Sequence, residues 1–506
     1  NRPDLWHVEG LARALRGFLG FEKGLKKYSV ISDSGVKINV ASKLKHIRPY
    51  IACAIIKNVK LSDTIIRQAM HLQDKLDQTY GRRRQRASIG LYNFSLIAPP
   101  LHYGVAKPSE ASFVPLGFEE KMSLEEILEK HPKGVEYGNI VRRHAAWPIL
   151  SDSEGKILSF PPIINSNDLG KITEDVHEVL IEVTGTVHET VLNTLTTVAV
   201  SLADRGGQVY SATSLYPYVE LENVVTPQLK TQNIRLDVKF ANRVLGFDLK
   251  AREIAVLLEK AHFGVGKILE DSVVVEIPCY RTDIMHPVDL VEDIAIAYGY
   301  NNIKPQWPQL PTIGSAFPQK HFNDLIREIM IGLGFQEILT FTMSNPETLF
   351  KKMHLKKEKV VEISNPKMVT FTCLRNWLLP CLMEFLSHNT HVEYPQKVFE
   401  AGYVTIFDKE EENRTKDIQK LACAIIHANA NFTEVKAILD ALFLNLGLKY
   451  GIRESKHESF IDGRIGKILV KNKEIGLIGE IHPKVLEAWK LENSVSAFEI
   501  DLEQIQ

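Results

Sequence analysis

Apolar residues recur at helical spacing between Pro287 and Gly299. Leu290, Val291, Ile294, Ala297 and Tyr298 share one face, which predicts a helix with proline in its first turn and glycine at its stop. Val8, Leu11, Leu15, Phe18 and Leu19 mark a second amphipathic helix, with Arg13 and Arg16 turned elsewhere. The β-branched run 51–59 predicts a strand and 62–72 a helix. Between 87 and about 220, short runs such as 179–184 alternate with helices such as 188–202, giving a mixed α/β region. Helices are expected at 238–245 and 249–263, around a turn at Gly246, followed by a strand at 273–277. Pro305, Pro308, Pro311 and Pro318 then read as a surface linker. Beyond it come a helix at 322–333, strands at 338–343, 360–363, 398–399 and 421–426, a helix at 431–442 and a glycine-interrupted strand at 475–482. The charged run 408–417 reads as an exposed hairpin loop, and the set predicts helices covering a mainly antiparallel sheet.

Size sets the number of cores. With 506 residues, 44% of them hydrophobic, the chain can bury three or four domains. A net charge of -1 argues against a generally basic, nucleic-acid-coating surface, so any RNA contact must be local. One local candidate is Arg82, Arg83, Arg84 and Arg86, which could meet phosphates or form a solvated loop. Five cysteines without close pairing read as ordinary thiols of a reducing compartment. With no apolar run of membrane length and no signal peptide, a soluble cytoplasmic protein is expected. Residue 1 is Asn, so a preceding segment is expected to be missing.

Acidic residues add a candidate metal site. Asp289, Glu292 and Asp293 stand at i, i+3 and i+4, with Asp283 six residues before the first of them. Four such carboxylates could hold a hard cation, although Mg²⁺ usually takes one or two directly. Acids in a first helical turn are also favoured by the helix dipole alone. Spacing leaves both readings open.

The wording from Arg281 to Ile303 resembles a signature of the β subunit of phenylalanyl-tRNA synthetase, of the archaeal and eukaryotic cytosolic type. The similarity runs over nearly the whole chain, including 1–20, 87–103, 146–150, 157–165 and 181–186. The resemblance implies that Asp283, Asp289, Glu292 and Asp293 belong to a Mg²⁺ site shared with an α subunit. It also implies an editing domain that hydrolyses tyrosine mistakenly attached to tRNA(Phe). Its pocket would fall at Leu150, Ser159, Glu182 and Thr184, with Asn165 nearby, and Glu182 stands where many archaeal members have Asp. A synthetic pocket shaped for an apolar ring cannot strongly reject an isostere with one added hydroxyl, which is why a second site is needed. No Ser-His or Cys-His nucleophile is evident in that region, so a pocket that positions ester and water fits better.

The resemblance further implies a winged-helix-like module and a catalytic-like module related to the class II synthetase core. Yet the strand 396–402 lacks the preceding Arg-x-Glu of class II enzymes, and 476–482 ends without their nucleotide-binding Arg. Amino-acid activation with ATP is therefore expected in the α partner, within an α₂β₂ assembly. The expected fold class is α+β multidomain. Its expected divisions are 1–66 (remainder of an N-terminal domain), 67–225 (mixed α/β editing domain), 230–303 (winged helix) and 304–506 (class II-like antiparallel sheet without catalytic motifs). The competing function is a tRNA-binding assembly scaffold with an inactive editing pocket.

Overall fold

In the computed structural model, which describes residues 2–218, 221 and 223–505, the chain forms two units, 1–307 and 308–506. The larger part of the first is one mixed sheet of ten strands. In chain order they are β1 (Asp33–Val40), β2 (Tyr50–Lys57), β3 (Ala87–Asn93), β4 (Leu101–Ala106) and β5 (Trp147–Ser151), then β6 (Ile157–Phe160), β7 (Ile164–Asn165), β8 (Val179–Gly185), β9 (Gln208–Leu215) and β10 (Val224–Thr226). Across the sheet the order is β3-β8-β2-β9-β1-β4-β5-β6-β7, with β10 paired to β9. Only β1 runs parallel to its neighbours, β9 and β4.

Strand alternation explains the two cores. Along β8, Val179, Ile181 and Val183 pack with Ala52, Ala54 and Ile56 under the helix His188–Asp204, which contributes Val191, Leu195 and Ala199. Leu180 points the other way, into a second core with Cys53, Tyr92 and Leu150. All seven residues of β8 are buried, as expected of a strand covered on both faces.

The expected division at residue 66 is corrected by this sheet. β2 lies before that point, and its hydrogen-bond partners β8 and β9 lie after it. Pairing was invisible in the sequence because both flanking segments have complete strand and helix patterns of their own.

The N-terminal helix, Val8–Phe18, also differs from expectation. Its apolar face is turned outward, with Leu11 and Leu15 about half exposed, and Gly10, Arg13 and Gly17 are buried. Arg13 pairs with Asp204, donates to the Tyr28 hydroxyl at 3.1 Å and stacks on Tyr280 at 3.9 Å. A desolvated guanidinium with a carboxylate and aromatic faces around it has outweighed the apolar periodicity. Gly17 is obligatory for this docking, since a Cβ there would lie 2.5 Å from the Lys260 carbonyl oxygen.

Residues 232–298 form a three-stranded antiparallel sheet with helices Val238–Leu245, Ala251–Lys260 and Pro287–Tyr298. Leu290, Val291 and Ile294 are buried in its core, as their spacing predicts.

In the second unit, seven strands form a sheet whose pairings are antiparallel except for Gln336–Glu337 on Gln396–Phe407. The expected strand at 338–343 is not formed; pairing is confined to Gln336–Glu337 and Met343–Ser344. The short strand expected at 398–399 is the centre of Gln396–Phe407, which hairpins with Thr415–Ile426 around the charged loop.

Inside this sheet Arg375 pairs with Glu400 at 2.8 Å, both side chains at most 2% exposed. Thr340 bridges them, donating to Glu400 at 2.5 Å and accepting from Arg375 at 2.7 Å. Removing one member of such a pair strands a buried charge. Glu400→Ala should therefore destabilise the second unit by about 3–5 kcal/mol, read as an earlier denaturant transition of the full chain.

Candidate functional site

A cavity of about 490 Å³ opens beside β3, at one edge of the large sheet. Its wall carries Ser159, Asn165, Glu182, Ser88 and Arg84 among apolar side chains that include Met70, Ile89 and Pro162. Sheet pairing places these groups together. Ser159 on β6 faces Asn165 on β7, and Glu182 on β8 faces Gly90 on β3.

Two polar atoms in this wall lack partners. Ser159 Oγ and Glu182 Oε1 are buried and make no hydrogen bond. Such groups are costly to leave unpaired, so a site that holds them ready fits an incoming polar ligand. Glu182 Oε2 is satisfied by the Tyr92 hydroxyl at 2.9 Å, which also lies 3.2 Å from Asn165 Oδ1. Asn165 Nδ2 donates to the Leu91 carbonyl at 3.3 Å. Glycines leave room for these groups. A Cβ on Gly90 would sit 2.2 Å from the Tyr92 hydroxyl oxygen and 2.6 Å from Glu182 Oε2; one on Gly170 would meet Asn165 Cβ at 2.5 Å.

Burial pushes the Glu182 carboxyl up to about 7, against the lowering pulls of the Tyr92 hydrogen bond and the Arg48 charge. Burial likewise raises Asp77 to about 7, opposed by Arg84 and Arg48. Arg48 is itself fully buried. It donates to Thr184 Oγ1 at 2.9 Å, the Thr184 carbonyl at 2.6 Å, Ser88 Oγ at 3.0 Å and the Arg84 carbonyl at 3.0 Å.

Three of the five expected pocket residues, Ser159, Asn165 and Glu182, are thus brought together on the cavity wall. The other two do not line it. Thr184 is engaged by Arg48, and Leu150 belongs to the apolar core between the strands. The arginine run is corrected in one member. Arg84 points inward, paired with Asp77 at 2.8 Å, bonded to the carbonyls of Pro162 and Ile163 and stacked 4.4 Å from the Tyr137 ring centroid. Arg82, Arg83 and Arg86 are exposed.

Sequence reasoning missed Tyr92, Arg48, Asp77 and Ser88. The one available signal was Gly90 inside an otherwise apolar strand, since an interior strand glycine often marks close approach of another group.

Of the four acids expected at a metal site, Asp283 and Asp293 meet on one guanidinium and no third joins them. Arg281 binds Asp283 at 2.8 Å and Asp293 at 2.6 Å, and Arg2 lies 3.9 Å from each. Although burial acts upward on Asp283, the Arg281 hydrogen bonds and charge hold its carboxyl below the usual range. Asp289 accepts from the Met285 and His286 amides at 2.8 and 2.7 Å, closing the start of its helix, and Glu292 is exposed. Among the described residues no three His, Cys, Asp or Glu side chains are grouped to hold a metal ion. The donor set, with two carboxylates neutralised by a buried guanidinium, does not fit Mg²⁺ within this chain.

In the second unit, a cavity of about 450 Å³ is lined by Thr340, Phe371, Cys381, Glu384 and the exposed Leu339 and Phe341. Arg375 is committed to Glu400, and Arg464 pairs with Glu480 at 2.6 Å. No helix among the described residues is long and apolar enough to cross a membrane.

Comparison with known proteins supplies the family context. The pattern described as the phenylalanyl tRNA synthetase beta chain CLM domain matches residues 303–502, and that of the tRNA synthetase B5 domain matches 234–300. The chain is 46% identical to the phenylalanine–tRNA ligase beta subunit of Pyrococcus abyssi over 502 residues, covering 99% of this chain and 89% of that protein. It is 43% identical to the corresponding subunit of Archaeoglobus fulgidus over 506 residues, covering 99% and 90%. Among solved structures, it matches an N-terminal fragment of the phenylalanyl-tRNA synthetase beta subunit from Pyrococcus horikoshii with a TM-score of 0.57 and 43% identity, over 59% of this chain and 85% of that one.

The buried carboxyls predict a pH dependence. Glu182 and Asp77 hold protons more tightly folded than unfolded, so their contribution to stability is complete below about pH 4 and is lost as pH rises through about 7. Thermal melts should show Glu182→Gln several degrees more stable than the parent at pH 8 and nearly equal to it at pH 4.

Proposed function

This chain belongs to the phenylalanine–tRNA ligase beta-subunit family, and from that premise we propose that its large-sheet cavity removes tyrosine from mischarged tRNA(Phe). It is a subunit of an aminoacyl-tRNA ligase and works with an alpha partner on tRNA. The observation that carries the editing reading is the pair of unpartnered buried atoms, Ser159 Oγ and Glu182 Oε1, on the wall of an open cavity.

Glu182 Oε1 would accept the phenolic hydroxyl of a tyrosyl ester. A phenylalanyl ester would leave that oxygen unpaired in a desolvated wall, and discrimination by missing hydrogen bonds is strong. Ser159 and Asn165 would orient the ester and a water. The water oxygen adds to the ester carbonyl carbon, the bond to the terminal ribose oxygen breaks, and that oxygen takes up a proton. The contribution of this chain is positioning, since neither histidine nor cysteine lines the cavity. Exposed Arg82, Arg83 and Arg86 would offer charge to the RNA backbone. The scaffold reading, with an inactive pocket, leaves the two unpaired atoms without a role.

Activation would fall to the alpha partner, with ATP consumed there in an α₂β₂ assembly. Support comes from the inward commitment of Arg375 to Glu400 and from the apolar surface at Leu339, Phe341 and Val369, which are 88%, 72% and 89% exposed. Exposed clusters of large apolar side chains mark association surfaces.

Two measurements test this. In the assembled enzyme, Glu182→Ala should slow hydrolysis of Tyr-tRNA(Phe) by at least about tenfold while leaving Phe charging nearly unchanged. Unchanged hydrolysis would remove the editing assignment. Separately, this chain alone should give no phenylalanine-dependent pyrophosphate exchange; added alpha subunit should restore it, and Phe341→Asp should weaken that restoration. Exchange by the isolated chain would overturn the division of labour.

A further inference from the structure

We propose that Tyr92 is a positioning residue for the editing reaction, holding Glu182 and Asn165 in register through one shared phenolic proton. This rests on the cavity being the editing site. Tyr92 is fully buried, and its hydroxyl lies 2.9 Å from Glu182 Oε2 and 3.2 Å from Asn165 Oδ1. Two acceptors face a single donor. Both are on the cavity wall, and both belong to strands other than that of Tyr92.

Each acceptor has a defined orientation. Asn165 Nδ2 is spent on the Leu91 carbonyl, so Oδ1 is the end presented to Tyr92. Glu182 Oε2 is spent on Tyr92, so Oε1 is the oxygen left without a partner. When Glu182 is ionised, the stronger acceptor takes the phenolic proton, and Asn165 Oδ1 is free to accept from a substrate ammonium or water. When Glu182 is protonated, it can donate to the Tyr92 oxygen, and the phenol turns its proton to Asn165. Ionisation of Glu182 thus sets both halves of the site at once: an acceptor for the substrate hydroxyl and an acceptor for the hydrolytic end.

Backbone geometry supports the arrangement. Gly90 stands opposite Glu182, and any side chain there would enter the space shared by the Tyr92 hydroxyl and Glu182 Oε2. The groups acting on Glu182 are Tyr92 itself, Arg48 ahead of β2, Thr184 two residues along β8, Asp77 at the end of the helix Asp63–Gln78, Cys53 on β2 and Tyr103 on β4. Of these, Tyr92 makes the direct side-chain hydrogen bond from a neighbouring strand. That bond lowers the Glu182 carboxyl, so its loss must raise it.

The test uses the assembled enzyme and Tyr-tRNA(Phe) hydrolysis under single-turnover conditions, from pH 5.5 to 8.5. Tyr92→Phe keeps the ring and removes the hydroxyl. It should slow hydrolysis about tenfold near pH 7, the size of one buried hydrogen bond, and move the acid limb of the profile upward. Gly90→Ala, which displaces the same pair without removing either member, should move that limb in the same direction. In a Glu182→Gln background, Tyr92→Phe should cost much less than it does alone, because the two act as a unit. A slower rate with an unmoved profile in both variants would mean that Tyr92 only fills space, and would overturn the proposal. So would an unchanged rate and profile in Tyr92→Phe while Glu182→Ala is inactive, an outcome that spares the editing assignment. Full activity in Glu182→Ala would instead remove the assignment on which the proposal rests.

Discussion

A carboxyl group without solvent must be held by neighbours, and the arrangement around Glu182 follows from that requirement. Strand β8 is buried on both faces, so an acid placed in it is largely removed from water. Tyr92 satisfies one oxygen, and the Arg48 charge offsets part of the desolvation. Arg48 must then be satisfied in turn, by Thr184, Ser88 and the turn carbonyl of Arg84. Arg84 completes the set by pairing with Asp77 and gripping the carbonyls of Pro162 and Ile163. One end of the sheet is thereby fixed by linked polar demands, with Glu182 Oε1 left on the cavity wall for a ligand to complete.

The same logic governs the second unit with the opposite outcome. Its buried cation and carboxylates satisfy each other: Arg375 with Glu400 and Thr340, and Lys420 with Glu499, which also accepts from the Leu378 and Leu379 amides. Charges turned inward and apolar side chains left outside describe a body built for association. The three-stranded module shows this economy again, with Arg281 taking up two acids that could otherwise have served a cation.

Local periodicity was the legible part of the chain. The helix Pro287–Tyr298, the helix His188–Asp204 and the strand Val179–Gly185 lie where apolar spacing puts them, because burial on a face writes itself into sequence at fixed intervals. Ser159, Asn165 and Glu182 were reached through family resemblance, and spacing alone would not have found them. What connects them was not legible. Tyr92 meets Glu182 only through the register of β3 on β8, and Arg48 meets Thr184 across 136 positions. The N-terminal helix lies where its spacing puts it, but the face it buries was not legible: its stripe of Val8, Leu11 and Leu15 is turned outward because Arg13 had a carboxylate and two aromatic rings to enter. Among the acids from Asp283 to Asp293, the pairing of Asp283 and Asp293 with Arg281 was likewise not legible from spacing.

The turn between the helix Asp63–Gln78 and β3 has a further meaning. Arg82, Arg83 and Arg84 have φ of 52, 53 and 64°, a left-handed run in which each non-glycine residue costs on the order of 1 kcal/mol. Arg84 recovers that cost through its buried partners, but Arg82 and Arg83 face solvent. For the backbone alone, glycine would be the easier residue at both positions. A sequence optimised only for folding would therefore drift away from arginine there, so these two sites separate selection for stability from selection for what the side chains meet outside the fold.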